Sequence, residues 1–399
     1  MKLGFVYDSF LPNIGGIEVI MLHLGTELVK RGYDVTVFTR NAVQYKRAAL
    51  RPTEYINGIL VKRLGTSFPP SISLDPRIVS DLISLNFDLI HAFSYHFAFN
   101  FVNIASLVSI LKKKPLVATP IYNPIRAKFY RTFSSKVTTL LFDQNIGPRI
   151  LKKANLVTAL SKSEADFYRQ HGISNLRIIP EGVYISKPPL ENVVRFKEKY
   201  GLIDKVILAV GRLESYKGQD LLLKAFQIVL KYFPKAKLLI VGKDWGKLAE
   251  LEKIVEEGKC NKNVIFTGSI SETELECAYE SADVVVHPSL FETFTRIALE
   301  AWSHKKPIIC FDLGGPTEFI TAETGILVKY RDVDSLGRMI IKLLSDEELS
   351  KAMGENGYLA VKSKYLWSKI VKEYELVYEL ATRANRQTIL NDAIKGKHY

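Results

Sequence analysis

The chain has 399 residues, 47% of them hydrophobic, which is enough for two globular domains with full cores. Its three cysteines (Cys260, Cys277 and Cys310) are scattered and odd in number, which excludes a disulfide framework and a cysteine metal site and suits a reducing compartment. The net charge of +13 is uneven: residues 1–185 carry 23 Lys and Arg against 12 Asp and Glu, and residues 186–399 carry 32 against 30. A basic half points to an anionic surface nearby, whether nucleic acid, acidic lipid headgroups or a phosphate-bearing substrate.

Leu3–Tyr7 reads as a first strand, and Ile17, Ile20, Met21, Leu24 and Leu28 then share one helical face. Between them lies a loop ending in Gly15-Gly16. A glycine pair at a helix amino terminus exposes backbone N–H groups that, with the helix dipole, favour an anion. The G-x-G-x-x-G fingerprint is absent, so a nicotinamide or flavin dinucleotide is not expected. Gly32 suits a left-handed helix stop, and Asp34–Thr39 is the next strand. No signal peptide is expected, because Met1-Lys2 leads straight into a strand. The apolar run Phe97 to Leu111 is too short to span a membrane, contains Asn100 and Asn103, and ends in Lys112-Lys113-Lys114. It reads as a helix of an α/β sheet, between strands at Phe87–His91 and Pro115–Thr119. Asn155–Leu160 and Leu176–Pro180 continue the alternation.

Gly182 to Asn192, interrupted by Pro188-Pro189, is the expected boundary. The rhythm then restarts, with strands at Val206–Val210, Lys237–Val241, Val264–Thr267, Val284–His287 and Pro307–Phe311, each followed by a helical segment. Two doubly wound parallel sheets facing across a cleft are therefore expected, covering residues 1–185 and 186–366. A final helix over about 367–391 is long enough to complete the first domain.

Two stretches of the second half carry chemistry. Gly211-Arg212-Leu213-Glu214-Ser215-Tyr216-Lys217-Gly218 follows a strand, so Arg212 and Lys217 sit at its carboxyl end. A planar guanidinium with a mobile ammonium suits a diphosphate whose charge grows as it departs. The second stretch places Glu292 in the turn after strand Val284–His287 and Glu300 inside the following helix, which is expected to begin near Phe294. Eight residues of helix span about 12 Å, so the two carboxylates cannot share a proton as a dyad and suit two parts of one extended ligand.

The Gly211–Gly218 loop, the Glu292/Glu300 pair and Gly314-Gly315-Pro316-Thr317-Glu318 together resemble the family 4 retaining glycosyltransferases with the GT-B fold. The resemblance covers nearly the whole chain and is tightest over 205–370. It implies that Arg212 and Lys217 hold the donor diphosphate, Glu292 the sugar hydroxyls and Glu300 the ribose, with Gly15, Gly16, Gly211, Gly268, Phe294 and Thr295 completing the donor site. The chain departs from the family in having Thr295 where glycine is frequent, Pro120-Ile121 in place of a histidine after the Thr119 strand, and Ala92-Phe93 after His91. His91 stays open as an acceptor-side base or a packed strand-end histidine. The implied reaction moves a hexose from a UDP- or GDP-linked donor to a hydroxyl with anomeric configuration retained. Neither glutamate fits a covalent nucleophile, so same-face substitution is favoured, with the departing phosphate taking the acceptor proton. No cofactor or metal is expected, and the one D-x-D match, Asp332-Val333-Asp334, reads as a helix cap.

The charge excess peaks in residues 101–180, with 13 basic against 3 acidic side chains. There, Arg126, Lys128, Arg131 and Lys136 alternate with aromatic residues, a pattern that suits the headgroup layer of an anionic membrane or an acceptor. A cytoplasmic enzyme, peripheral on the membrane and acting on a lipid-linked glycan or glycolipid, is expected. A soluble acceptor, another GT-B enzyme such as an epimerase or phosphorylase, and a basic nucleic-acid-binding protein are the alternatives.

Overall fold

A computed structural model describes residues 1–43, 46–47, 50–64, 80, 83–84, 87–93, 101–121 and 147–395. The chain forms two compact units, Met1–Glu181 with the segment from Trp367 onward, and Gly182–Leu366. Arg126, Lys128, Arg131 and Lys136 lie outside the described residues.

The first unit is an eight-stranded sheet. Its strands are Lys2–Val6 (β1), Asp34–Arg40 (β2), Thr53–Ile56 (β3), Ile59–Leu64 (β4), Leu89–Phe93 (β5), Leu116–Thr119 (β6), Leu156–Ala159 (β7) and Leu176–Ile178 (β8). They lie in the order β8-β7-β6-β5-β1-β2-β4-β3. The pairs are parallel except β3 with β4, an antiparallel hairpin turned at Asn57-Gly58, where both residues have positive φ. This edge hairpin is a departure from the all-parallel expectation, and the Asn-Gly pair is what makes the turn. The helix Gly16–Lys30 (α1) follows β1 and buries Ile20, Met21, Leu24 and Leu28. The helix Phe101–Lys112 (α2) buries Ile104, Ala105 and Val108 in the core between β5 and β6.

The sheet's central histidine is packed into the core. His91, on β5, has no exposed surface. Its Nδ1 meets the Tyr378 hydroxyl at 2.9 Å and its Nε2 meets Thr119 Oγ1 at 2.7 Å. Tyr378 belongs to the helix Trp367–Lys395, which closes this unit. Of the two readings of His91, the packed one matches the structure, because both ring nitrogens are already engaged inside the core.

Burial pushes the His91 imidazole down to about 3. An unfolded histidine takes its proton near 6.5, so between the two values the unfolded chain binds more protons than the folded one. Stability from this residue is therefore full above pH ~6.5 and declines as pH falls towards 3, by at most about 1.4 kcal/mol per pH unit. His91→Gln is expected to flatten the dependence of the urea midpoint on pH over that window. Parallel slopes for the two proteins would show that His91 is not the group responsible.

The second unit is a six-stranded, wholly parallel sheet. Val206–Val210 (β9), Lys237–Val241 (β10), Val264–Gly268 (β11), Val284–His287 (β12), Ile308–Phe311 (β13) and Gly325–Val328 (β14) lie in the order β11-β10-β9-β12-β13-β14. The runs are short and β-branched because both faces are covered. Helices Gln219–Val229 (α3), Glu272–Ser281 (α4) and Arg296–Ser303 (α5) return the chain between strands, and Val333–Ser345 (α6) follows the last strand. Ser271 and Glu274 form the capping box that opens α4. Asp332 caps α6 by accepting from the Ser335 amide at 2.9 Å.

Candidate active site

The strand order of the second unit reverses between β9 and β12, and the loops after those two strands meet there. In an open α/β sheet this is the crevice where ligands bind. The loop after β9 runs from Gly211 to Gly218 and the one after β12 from Pro288 to Thr295. The Leu290 amide donates to the Tyr216 carbonyl at 2.7 Å, and the Tyr216 ring packs on Phe291 with centroids 4.5 Å apart. Gly218 has a φ of +69°, and a Cβ there would overlap the Pro288 carbonyl. The two loops are held together backbone to backbone.

That junction brings Lys217 and Glu292 into contact across 75 residues of sequence, Nζ to Oε1 at 2.7 Å. His287, the last residue of β12, meets the same oxygen through Nε2 at 2.9 Å. Burial works against a charge on Glu292, but the Lys217 ammonium and the His287 hydrogen bond outweigh it and hold the carboxyl down at about 2. Lys217 shows the mirror effect: burial opposes its charge, and the attraction of Glu292 raises its pKa above the ordinary lysine value. Among the described residues, both side-chain partners of Glu292 fall on Oε1, which leaves Oε2 to accept from a ligand.

Arg212 is fixed differently. Its Nη2 donates to the Tyr216 hydroxyl at 2.7 Å and lies 3.1 Å from Glu214, while the guanidinium stacks 4.4 Å over the Trp245 ring. Gln219 donates to the Arg212 carbonyl at 2.9 Å. The guanidinium is thus pre-oriented beside Lys217, with part of its surface open to solvent.

Glu300, on α5, accepts from Arg296 Nε at 2.9 Å on one oxygen and from the Tyr279 hydroxyl at 2.6 Å on the other. Burial, then the Glu300 charge, raises the Tyr279 pKa well above the ordinary phenol, so this hydroxyl stays a donor. The Tyr279 ring stacks on His304 at 5.4 Å.

The two residues before α5, Phe294 and Thr295, are both buried. Phe294 is buried and stacks on Phe319 at 4.7 Å, so its ring serves the core. Thr295 precedes α5 in an extended conformation without capping the helix through its side chain. It is only 2% exposed, and among the described residues its hydroxyl has no hydrogen-bond partner. Packing of Phe294 and extension of Thr295 together delay the helix to Arg296. The Gly315 amide donates to the Glu292 carbonyl at 2.9 Å, which ties the loop after β13 to the glutamate turn. Gly211 follows β9 and Gly268 ends β11, both with positive φ, and the Gly242 amide donates to the Gly268 carbonyl at 3.0 Å. In the first unit, Gly15 precedes α1, and a Cβ there would press on the Glu18 carboxylate.

His287, Tyr216, Trp245, Tyr279 and Arg296 were not anticipated. Arg296 had a signal, since it stands four residues before Glu300 on the same helix. Tyr216 and His287 lie four and five residues from Arg212 and Glu292, whereas Trp245 and Tyr279 reach the site through tertiary packing. Among the described residues, no group of three or more His, Cys, Asp and Glu could hold a metal ion. Among the same residues, no helix is long and apolar enough to cross a membrane.

Residues 14–187 match the family described as Glycosyltransferase Family 4, and residues 193–360 match the family described as Glycosyl transferases group 1. An uncharacterised glycosyltransferase of Methanocaldococcus jannaschii is 26% identical over 401 residues, covering 95% of this chain and 98% of that one. The structure of sucrose-phosphate synthase from Thermosynechococcus elongatus superposes with a TM-score of 0.77 at 22% identity, over 96% of this chain and 99% of the other. The Anabaena protein HepE, solved in complex with UDP-glucose, gives 0.76 at 18% identity, over 95% and 99%. These structural matches establish a shared GT-B fold.

Proposed function

The chain belongs to glycosyltransferase family 4 and is an enzyme of the hexosyltransferase class, and from that membership we propose that it moves a hexose from a nucleoside diphosphate to an acceptor hydroxyl with retention at the anomeric carbon. The observation that carries this reading is the Lys217–Glu292 contact at the switch point, beside the stacked Arg212. Glu292 is kept ionised and presents one oxygen to a sugar hydroxyl. Lys217 and Arg212 supply fixed positive charge to the diphosphate. The buried, unpartnered Thr295 hydroxyl adds a hydrogen-bonding group beside the sugar position. Glu300, steadied by Arg296 and Tyr279, takes the ribose.

In the reaction, the acceptor oxygen approaches the anomeric carbon on the face the phosphate leaves. The bond from that carbon to the phosphate oxygen breaks, and the acceptor proton passes to the departing phosphate. Negative charge on the phosphate rises through this step, so cations fixed beforehand lower the barrier. The HepE complex supports a uridine nucleotide sugar as the class of donor. The positive excess of residues 1–185 supports a lipid-linked acceptor met at an anionic membrane surface, with the enzyme cytoplasmic and peripheral.

The division of labour between the two carboxylates is open to direct test. Glu300→Gln is expected to weaken UDP by calorimetry, because ribose is part of UDP itself. Glu292→Gln is expected to leave UDP affinity close to that of the parent and to lose discrimination between UDP-hexoses. Equal affinity of both variants for UDP would refute the assignment of ribose to Glu300.

A further inference from the structure

Helix α2 carries two apolar stripes where one is enough for its place in the sheet. Ile104, Ala105 and Val108 are the buried stripe. Leu107, Ile110 and Leu111 form a second one at helical spacing, and they are 49%, 47% and 61% exposed. A single exposed leucine is ordinary, but three neighbours on one face make a patch that calls for a partner.

The patch has a charged border. Lys112, Lys113 and Lys114 follow it directly, and Lys112 and Lys113 are exposed. These lysines are anchored: the Lys114 amide donates to the Ser109 carbonyl at 2.9 Å, Ser109 Oγ donates to the Lys114 carbonyl at 2.7 Å, and Asn385 donates to the Lys113 carbonyl at 2.9 Å. Between Asp88 and Asp143 the chain has seven basic residues and no acidic one. An apolar stripe bordered by ammonium groups, in a stretch free of carboxylates, matches a surface with acyl chains below and negative headgroups above.

We propose that the Leu107–Ile110–Leu111 stripe and the lysines that follow it are a docking surface for the headgroup layer of an anionic membrane, with the three apolar side chains entering the interface and Lys112 and Lys113 meeting lipid phosphates. The inference rests on the reading of a membrane-held acceptor and gives that reading a surface on described residues.

Co-sedimentation of the full chain with phosphatidylcholine vesicles, with and without phosphatidylglycerol, tests it. The parent is expected to bind the anionic vesicles and to be released by salt. Leu107→Gln/Ile110→Gln/Leu111→Gln is expected to bind them on the order of 100-fold more weakly, from the apolar area that stays in water. Lys112→Gln/Lys113→Asn, with asparagine chosen for the left-handed backbone of Lys113, is expected to lose roughly 30-fold. Both variants alter exposed positions and should melt with the parent. If the parent binds anionic vesicles and both variants bind equally well, the stripe is not the docking surface, although a membrane enzyme remains. If the parent binds neither vesicle, the membrane reading and the stripe fall together. A stripe variant that turns a dimer into a monomer while keeping its vesicle affinity would make this face a self-association surface and overturn the proposal.

Discussion

Lys217→Ala is expected to lower turnover by about 10²- to 10³-fold while weakening donor binding far less. Lys217 lies 2.7 Å from Glu292 in the resting site, so part of its charge is already balanced before catalysis. What the lysine adds is greatest when the leaving diphosphate gains charge, and one such fixed group is worth about 2.7–4 kcal/mol. The same substitution leaves Glu292 without its strongest partner. Both side chains are mostly buried, at 15% and 17% exposure, so a stability loss of about 3 kcal/mol is expected as well. The two effects separate by experiment: kcat and KM are measured well below the melting transition, and stability is measured by urea. A variant that loses stability but keeps its kcat would remove Lys217 from the chemistry.

The acidic limb follows from the same pair. Glu292 titrates near 2 in the fold and an unfolded glutamate near 4.3. The stabilisation is therefore complete above pH ~4.3 and is lost as pH falls towards 2. Lys217→Ala should remove most of that part of the acid sensitivity.

Gly218→Ala is expected to be nearly as damaging as loss of the lysine beside it. The φ of +69° alone costs a residue with a Cβ about 1–2 kcal/mol, and the added methyl would also overlap the Pro288 carbonyl. Relief requires the two loops to part, and that moves Lys217 away from Glu292. Gly201→Ala is the matched control: its φ is +61°, but a Cβ there meets nothing within 4 Å. Gly201→Ala should lose only the conformational cost and keep its turnover, whereas Gly218→Ala should lose about 2–4 kcal/mol and at least a hundredfold in kcat. Similar kinetics for both would show that contact between the loops does not position the lysine.

Much of this architecture is legible from residue order, and the reason differs between the units. In the second unit, the strands Val206–Val210, Lys237–Val241 and Val284–His287 are found where the short β-branched runs stand, because a doubly covered parallel sheet needs unbroken apolar runs. The capping signals at Ser271 and Asp332 are equally local and equally visible. In the first unit, the hairpin of β3 and β4 has its signal in Asn57-Gly58, a local turn that lies outside the βαβ alternation.

The site is less visible. Glu292, Arg212 and Lys217 stand out as charges after strand ends and Glu300 as a charge on the following helix, but their contacts do not. His287 looks like a strand residue, Tyr279 like one helix position among ten, and Trp245 like loop. Trp245 follows β10, which lies beside β9, and Lys217 meets Glu292 because β9 and β12 are neighbours in the sheet although 75 residues separate the two side chains. Such long-range pairings leave no mark in local periodicity. Phe294 has helical spacing in the sequence, but its ring stacks on Phe319 and the helix begins two residues later, at Arg296.

The central claim is that the crevice between β9 and β12 binds a nucleoside diphosphate sugar. Thermal melting against a panel of UDP-, GDP-, ADP- and TDP-hexoses tests it most directly, since a ligand at about 100 times its Kd stabilises by roughly 2.7 kcal/mol. One nucleotide series should raise the melting temperature by several degrees, the free nucleoside diphosphate of that series should do so in part, and Glu300→Gln should reduce both shifts. A panel in which no nucleotide sugar moves the transition, or in which Glu300→Gln responds like the parent, would contradict the account.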